Sequence, residues 1–247
     1  MDELKAVIVQ RFRDGRTWAN RHRVAAAGIA LASLLFLQYL FLPNNSLQSL
    51  RKQNPKRTAM MEQRIEEAEE AGKPFAIAQQ WVPLSRISRH LVNAVIVSED
   101  GTFYEHEGVD WYELEESIRK NLAKGKAARG GSTISQQLAK NLFLSTSKDP
   151  VRKFKELVIT LRMERTLSKR RILELYLNLI EWGDGVFGAE AAAKRYFGKS
   201  AANLTREEAA RMAAVIPSPR RHRPDAASRY VLRRTSVILE RMSARGY

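Results

Sequence analysis

A run of 19 residues without a charged side chain, at positions 24–42, restricts what this chain can fold into more than any other feature of its sequence. As an α-helix the run would be about 28 Å long, close to the ~30 Å hydrocarbon core of a bilayer. This length disfavours a buried core helix, and the bulky end YLFLP disfavours a cleaved signal peptide. We therefore predict a single transmembrane helix.

The charges on either side of this run predict its orientation. Residues 1–23 carry six Lys or Arg and three Asp or Glu, so the positive-inside rule places them in the cytoplasm and the rest of the chain outside. These 23 residues account for +3 of the net charge of +15, which leaves +12 for the remainder. An exported basic domain favours lipid headgroups and lipid phosphates as partners and disfavours nucleic acid.

The sequence divides into four segments on this reading. They are a cytoplasmic basic tail (1–23), a transmembrane helix (24–42), a tether with a charged helix (43–80) and an outer domain (81–247). Because the chain has no cysteine, disulfides, thiolate metal sites and cysteine nucleophiles are excluded, and any catalysis must use oxygen or nitrogen groups.

The outer domain is predicted to be mainly α-helical. Apolar residues recur at spacings of three and four, and no alternating strand pattern or internal repeat is evident. Thr205 and Glu208 form a capping-box pattern that opens a helix, and a last helix is predicted from about Ala226 to Met242. The apolar positions are Leu91, Val95, Ile96, Phe154, Leu157, Val158, Leu161, Ile172, Leu173, Tyr176, Leu179 and Ile180.

A first polar cluster, SEDGTFYEHEG at 98–108, follows an apolar helical stretch. A helix end can hold a carboxylate partly out of water, which favours Glu99 as a general base. Taken alone, a Glu-Asp pair is more often an acidic helix end, and a lone histidine such as His106 is more often structural than a ligand. The Glu-Asp pair alone therefore does not distinguish a catalytic site from an acidic helix end.

A second cluster, RGGSTISQQLAKN at 129–141, places two glycines and a serine cap, Ser132, before a helix. Free backbone N–H groups at such a helix start favour a phosphate or another anion, but the spacing is not that of a Walker A loop. A solvated polar helix face explains the same residues equally well.

A third cluster surrounds Glu156 with cations, where Arg152 and Glu156 are spaced to share one helical face. A surface salt bridge explains that pair, and a diphosphate site with a paired carboxylate explains the whole cluster. Further along, Glu174 and Asn178 lie one turn apart and are interpreted as structural, and a glycine-rich loop precedes the helix after Gly188. The cations are Lys148, Arg152, Lys153 and Lys155.

Five segments of this chain, in their order along the sequence, resemble the signature motifs of the peptidoglycan glycosyltransferases. Monofunctional transglycosylases share this family with class A penicillin-binding proteins. The five segments are SEDGTFYEHEG, GGSTISQQLAKN, RKFKE, KRRILELYLN and GVFGAEAAAKRYFGK. The resemblance covers roughly residues 81–219. It implies a mainly α, lysozyme-like domain with a small membrane-proximal jaw lobe. It also implies a bacterial inner-membrane enzyme that polymerises lipid II into β-1,4 glycan strands, with inverting displacement of undecaprenyl diphosphate.

The resemblance also implies roles for single residues. Glu99 matches the general base and Glu156 the second essential glutamate, and no cofactor is required, although a divalent metal, Mg²⁺ or Mn²⁺, is compatible with the motifs. Ser135 stands where threonine is more usual and keeps the hydroxyl. The matched substrate-binding positions are Ser132, Gln136, Gln137, Lys140, Asn141, Lys148, Arg152 and Lys155.

The implied partners are lipid II, the lipid-linked glycan strand, the membrane, and proteins of cell-wall synthesis or division. Two alternatives stay open. A lysozyme-like hydrolase or lytic transglycosylase would share the fold and one glutamate, but gives no reason for the cations around Glu156. A membrane-tethered scaffold explains the anchor and the charge, but not the order of the motifs.

Overall fold

The computed structural model describes residues 10, 22–29, 44–124, 131–147 and 149–247, and the chain forms two compact units, Met1–Leu42 and Pro43–Tyr247. In the first unit residues 23–29 are helical. None of the helices in the described ranges combines the length and the apolar composition needed to cross a bilayer. Most of the predicted span at 24–42 lies outside the described residues.

The second unit is mainly α-helical, as predicted, where the structure describes it. A small sheet, for which the sequence shows no strand pattern, accompanies the helices, and short 3₁₀ turns lie at Leu84–Arg86 and Ala201–Asn203. The helices are α1 (Asn44–Ser49), α2 (Ala59–Glu70), α3 (Arg89–Glu99), α4 (Trp111–Lys124), α5 (Ile134–Phe143), α6 (Pro150–Thr166), α7 (Lys169–Leu179), α8 (Ala189–Phe197), α9 (Arg206–Val215) and α10 (Arg229–Ala244). The strands are β1 (Ala78–Gln79), β2 (Glu181–Gly183) and β3 (Val186–Phe187).

Side-chain caps fix where several of these helices begin. The predicted capping box of Thr205 and Glu208 is confirmed at α9. The predicted serine cap of α5 is wrong, because the side chain of Thr133, not of Ser132, accepts the N–H of Gln136. The last helix begins later than predicted, since the Ser228 side chain accepts the N–H of Val231 and so ends the preceding loop.

Two groups of helices build the core. Helix α9 packs against α3 and α10, and α5 packs against α6 and α7. Helix α7 was predicted to carry an apolar stripe, but Leu175, Leu177 and Asn178 are buried together with that stripe. From Ile172 to Leu179 every residue except Glu174 is buried, so this part of α7 lies in the centre of the domain and supports the other elements from within.

A tether was predicted over residues 43–59, and the part of it that the structure describes, from residue 44 onward, is folded onto the rest of its unit. Helix α1 contacts α6, and Leu47 and Leu50 are buried. The guanidinium of Arg171 donates to the carbonyl oxygens of Leu50 and Gln53. The segment packs against the domain because two of its leucines are buried and two of its backbone carbonyls accept hydrogen bonds from Arg171.

The sheet has the strand order β1-β3-β2, with β1 and β3 parallel and β2 and β3 antiparallel. The strands are two or three residues long, too short to show an alternating pattern in sequence. The turn after β3 brings the Gly188 backbone against α7, where an added Cβ would lie 2.6 Å from the Asn178 carbonyl oxygen.

Gly188→Ala is expected to lower the free energy of unfolding by about 2 kcal/mol, because a positive φ of 81° and the backbone of Asn178 both oppose a side chain. The matched control is Gly198→Ala, which has a similar φ of 65° but open space around the added Cβ. That control should cost only about 1 kcal/mol. Denaturant unfolding of both variants tests the difference, and equal losses would show that the contact with Asn178 is easily relieved.

Candidate functional site

The carboxylate of Glu99 lies at the end of α3, where the hydrophobic part of the helix stops. The Ser98 hydroxyl donates to Glu99 Oε1 over 2.9 Å, and Gln137 Nε2 on α5 donates to Glu99 Oε2 over 3.1 Å. The Glu99 side chain is only 10% exposed. One oxygen is therefore held from its own helix and the other from α5, which fixes the direction of the carboxylate.

The orientation of the Gln137 amide is set in turn by α7. The hydroxyl of Tyr176, a fully buried residue, donates to Gln137 Oε1 over 2.8 Å. Burial, together with the nearby charges of Glu99 and Asp100, raises the pKa of Tyr176 well above its usual value, so the hydroxyl keeps its proton. Because Gln137 Oε1 is occupied by this donor, its NH₂ group faces Glu99.

The loop after Glu99 is tied to the start of α5 by Asp100 and His106. Asp100 Oδ2 accepts the N–H of Ile134 over 2.9 Å, and its Oδ1 lies 2.9 Å from His106 Nε2. His106 Nδ1 accepts the N–H of Gly108 over 3.0 Å, which assigns the ring proton to Nε2. These contacts confirm the structural interpretation of His106.

The carboxylate of Glu156 is buried on α6 between two cations. Arg152 Nη1 lies 2.6 Å from Oε2, which confirms the predicted pairing on one helical face, and Lys153 Nζ contacts Oε1. Lys155, which the resemblance assigned to substrate, forms no ion pair with Glu156. With both oxygens paired and only 4% of its side chain exposed, Glu156 is well placed to hold neighbouring cations.

Lys140 lies on α5, the helix whose Gln137 contacts Glu99, and it is close enough to Glu156 to respond to its charge. It follows Gln137 by three residues, so the two positions lie on neighbouring turns about 4.5 Å apart along the helix axis. Burial lowers the pKa of Lys140, the negative charge of Glu156 opposes this effect, and the positive charges of Arg152 and Lys153 add to it. One ridge of α5 thus presents an amide to Glu99 and a cation to the Glu156 cluster.

The other residues predicted to contact substrate differ in how far they are exposed. Ser132 is exposed just before α5, and Asn141 is buried near its end. Gln136 is also buried, and its Oε1 accepts the N–H of Thr133 in the capping box over 3.0 Å. Lys148 lies outside the described residues.

The structural interpretation of Glu174 and Asn178 is confirmed. Glu174 Oε2 accepts the N–H of Leu84 over 2.9 Å. Asn178 accepts the N–H of Val82 over 3.0 Å and donates to the Val82 carbonyl over 2.9 Å. Both side chains therefore hold the segment before α3 against α7.

Three charged residues near the site were not found by sequence reasoning. Arg64 on α2 pairs with the buried Glu181 over 3.0 Å, and its positive charge contributes to lowering the pKa of Lys140. On α10, Arg234 Nη2 lies 3.9 Å from Glu99 Oε1. Each of the three is more than a hundred positions along the chain from its partner. No local sequence pattern could therefore have predicted these contacts.

The donor set around Glu156 does not fit a divalent metal held by protein ligands. Both carboxylate oxygens already contact cations, and Lys140 adds positive charge beside them. Across the part of the chain that the structure describes, no group of three or more Asp, Glu and His side chains is arranged to hold a metal ion.

Comparison with known proteins points in one direction. The sequence model of a family described as Transglycosylase matches residues 66–243. A biosynthetic peptidoglycan transglycosylase of Nitrosospira multiformis is 50% identical over 191 residues, which are 77% of this chain and 83% of that protein. A protein of the same name from Thiobacillus denitrificans is 46% identical over 217 residues, covering 88% of this chain and 94% of its own length.

Proposed function

The chain belongs to the transglycosylase family and is a peptidoglycan glycosyltransferase, and from this premise we propose that it polymerises lipid II into β-1,4 glycan strands with release of undecaprenyl diphosphate. The observation that supports this reaction best is the ridge of α5. Gln137 on this ridge contacts the Glu99 carboxylate, and Lys140, one turn further, lies beside the buried Glu156 cluster. A base and a cation cluster, linked through side chains on neighbouring turns of α5, suit a reaction that deprotonates a hydroxyl and expels an anion.

Glu99 is the proposed general base. Its carboxylate takes the proton of the 4-hydroxyl of the acceptor N-acetylglucosamine while that oxygen attacks C1 of the lipid-linked donor sugar. The bond from C1 to the diphosphate oxygen breaks with the electron pair leaving on oxygen, so the α-linked donor gives a β-linked product by one inversion. Because each carboxylate oxygen of Glu99 accepts a hydrogen bond, the group is directed before substrate binds.

The Glu156 cluster is the proposed site for the leaving diphosphate. Diphosphate leaves without being protonated, so positive charge is sufficient to stabilise it. Lys140, Arg152 and Lys153 supply that charge, and Glu156 orients the last two by accepting from both. This division of roles follows from the contacts of each carboxylate: Glu99 accepts hydrogen bonds from the neutral donors Ser98 and Gln137, with Arg234 at 3.9 Å, whereas both oxygens of Glu156 contact cations directly.

The proposed reaction is tested by incubating the full-length protein in detergent or vesicles with lipid II. New glycan polymer that muramidase digests supports it. Digestion of preformed cell wall would instead identify a lysozyme-like hydrolase, and absence of both activities would favour a scaffold.

Tyr176→Phe is expected to reduce the rate of polymerisation about 2- to 12-fold with little change in KM, since one hydrogen bond that orients Gln137 toward Glu99 is lost. The aromatic ring, and with it the packing of α7, is retained. Tyr112→Phe, which removes an exposed hydroxyl, is the matched control and should behave as wild type. A Tyr176→Phe enzyme with wild-type turnover would show that Gln137 needs no support from α7.

The membrane anchor is a further part of the proposal. It rests on the 19 uncharged residues at 24–42 and the six cations before them, which favour a single span with the catalytic domain outside the cytoplasmic membrane. Protease added to intact spheroplasts should digest the domain. Digestion only after lysis would contradict this topology.

A further inference from the structure

An open groove beside Glu99, with a volume of about 530 Å³, is lined mainly by arginines of α10. We define this arginine groove by Arg229, Arg233, Arg234 and Arg241, with Ser98 at its end next to Glu99. Arg241 donates to the Val97 carbonyl over 3.4 Å, so the groove is attached to the last turn of α3. The groove therefore adjoins the end of α3 that carries Glu99, and its lining residues do not include those of the Glu156 cluster.

The positive charge of the arginine groove is largely uncompensated. Within the described residues, the only carboxylate within 4.0 Å of these four guanidinium groups is that of Glu99, 3.9 Å from Arg234. Among the described residues, the side chains of Arg229 and Arg233 form no hydrogen bond or ion pair. In contrast, Arg64, Arg152 and Arg171 each lie within 3.0 Å of a carboxylate oxygen.

A second observation points to a ligand in the same groove. The Nε of Arg234 is buried and has no hydrogen-bond partner. A buried donor without an acceptor costs free energy, and native proteins rarely leave one unsatisfied. Arg234 lines the groove, and a bound anion that draws its guanidinium outward would give this donor an acceptor.

We infer that the arginine groove binds an anionic oxygen group, a carboxylate or a phosphate, of the acceptor molecule whose hydroxyl Glu99 deprotonates. Guanidinium groups match both of these anions with two parallel hydrogen bonds. The inference rests on the proposed function, because in lipid II the acceptor carries peptide carboxylates as well as a diphosphate. Tyr230, Val237 and Ile238 add apolar wall to the groove, which suits the methyl-bearing chain of a peptide.

The test varies lipid II as acceptor against a saturating lipid-linked oligosaccharide donor, with the full-length double variant Arg229→Gln/Arg233→Gln. Both side chains are exposed, so the fold should be retained and thermal melting should match wild type. We expect KM for the acceptor to rise tenfold or more with kcat within about twofold. Arg221→Gln, which removes an exposed arginine outside the groove, is the control and should leave both constants unchanged.

A second arm uses lipid II with its peptide carboxylates converted to amides. If the groove binds the peptide, wild type and double variant will have the same raised KM on this acceptor. If it binds the diphosphate, the tenfold difference will persist. Either result supports the groove and assigns its ligand.

A double variant with the same acceptor KM as Arg221→Gln would overturn the inference while leaving the proposed function intact, provided that wild type forms polymer. Failure of wild type to polymerise lipid II would overturn both. The two failures are therefore distinguished within one experiment.

Discussion

Glu99→Gln is expected to reduce polymerisation by about 10²- to 10⁴-fold while lipid II binding stays near that of wild type. The amide keeps the shape of the side chain, and its oxygen still accepts from Ser98 or Gln137, but it cannot take the proton of the acceptor hydroxyl. Rate and binding should be measured separately, by polymer formation and by equilibrium binding of labelled lipid II.

The matched control for this substitution is Glu105→Gln, an exposed glutamate in the loop that follows α3. It should polymerise at the wild-type rate. If Glu99→Gln kept an appreciable rate with the wild-type pH profile, Glu99 would not be the base, and Glu156 would be the next candidate.

Lys140→Ala is expected to reduce turnover about 10- to 150-fold, because a partly buried cation beside the Glu156 cluster loses its charge-assisted contact with the diphosphate. Lys56→Ala, at an exposed position outside the cluster, is the control and should leave turnover unchanged. Near-normal turnover of Lys140→Ala would show that this lysine does not handle the leaving group.

The pH dependence gives the same prediction a second readout. Since burial lowers the pKa of Lys140, this side chain loses its proton at a lower pH than an ordinary lysine, and activity should fall as pH rises through that pKa. Lys140→Arg keeps its charge throughout this range and should extend activity to higher pH, even if the maximal rate is lower. An unchanged alkaline limb would assign that limb to another group.

Features set by near neighbours in sequence were predictable. The pairing of Arg152 with Glu156 follows from a spacing of four residues, and the capping box of Thr205 and Glu208 from a spacing of three. The prediction that Ser132 caps α5 was wrong for a local reason as well. Ser132 and Thr133 are both residue types that cap helices well, and in the structure Thr133 forms the capping box with Gln136.

Features set by distant residues were not predictable. The contact of Gln137 with both Glu99 and Tyr176 joins three helices, and no single motif contains it. Arg234 reaches Glu99 across more than a hundred residues, and two-residue strands pair through backbone alone. The resemblance supplied roles for Glu99 and Glu156, but the support around each carboxylate became visible only from packing.

The most direct test of the proposed displacement is the stoichiometry of products from full-length protein and labelled lipid II. One undecaprenyl diphosphate should be released for each new β-1,4 bond, with no new free reducing end, and Glu99→Gln should reduce both products by the same large factor. Release of lipid diphosphate with a free reducing end on each sugar, or cleavage of existing glycan, would show transfer to water and contradict the assignment of Glu99 as the base for an acceptor hydroxyl.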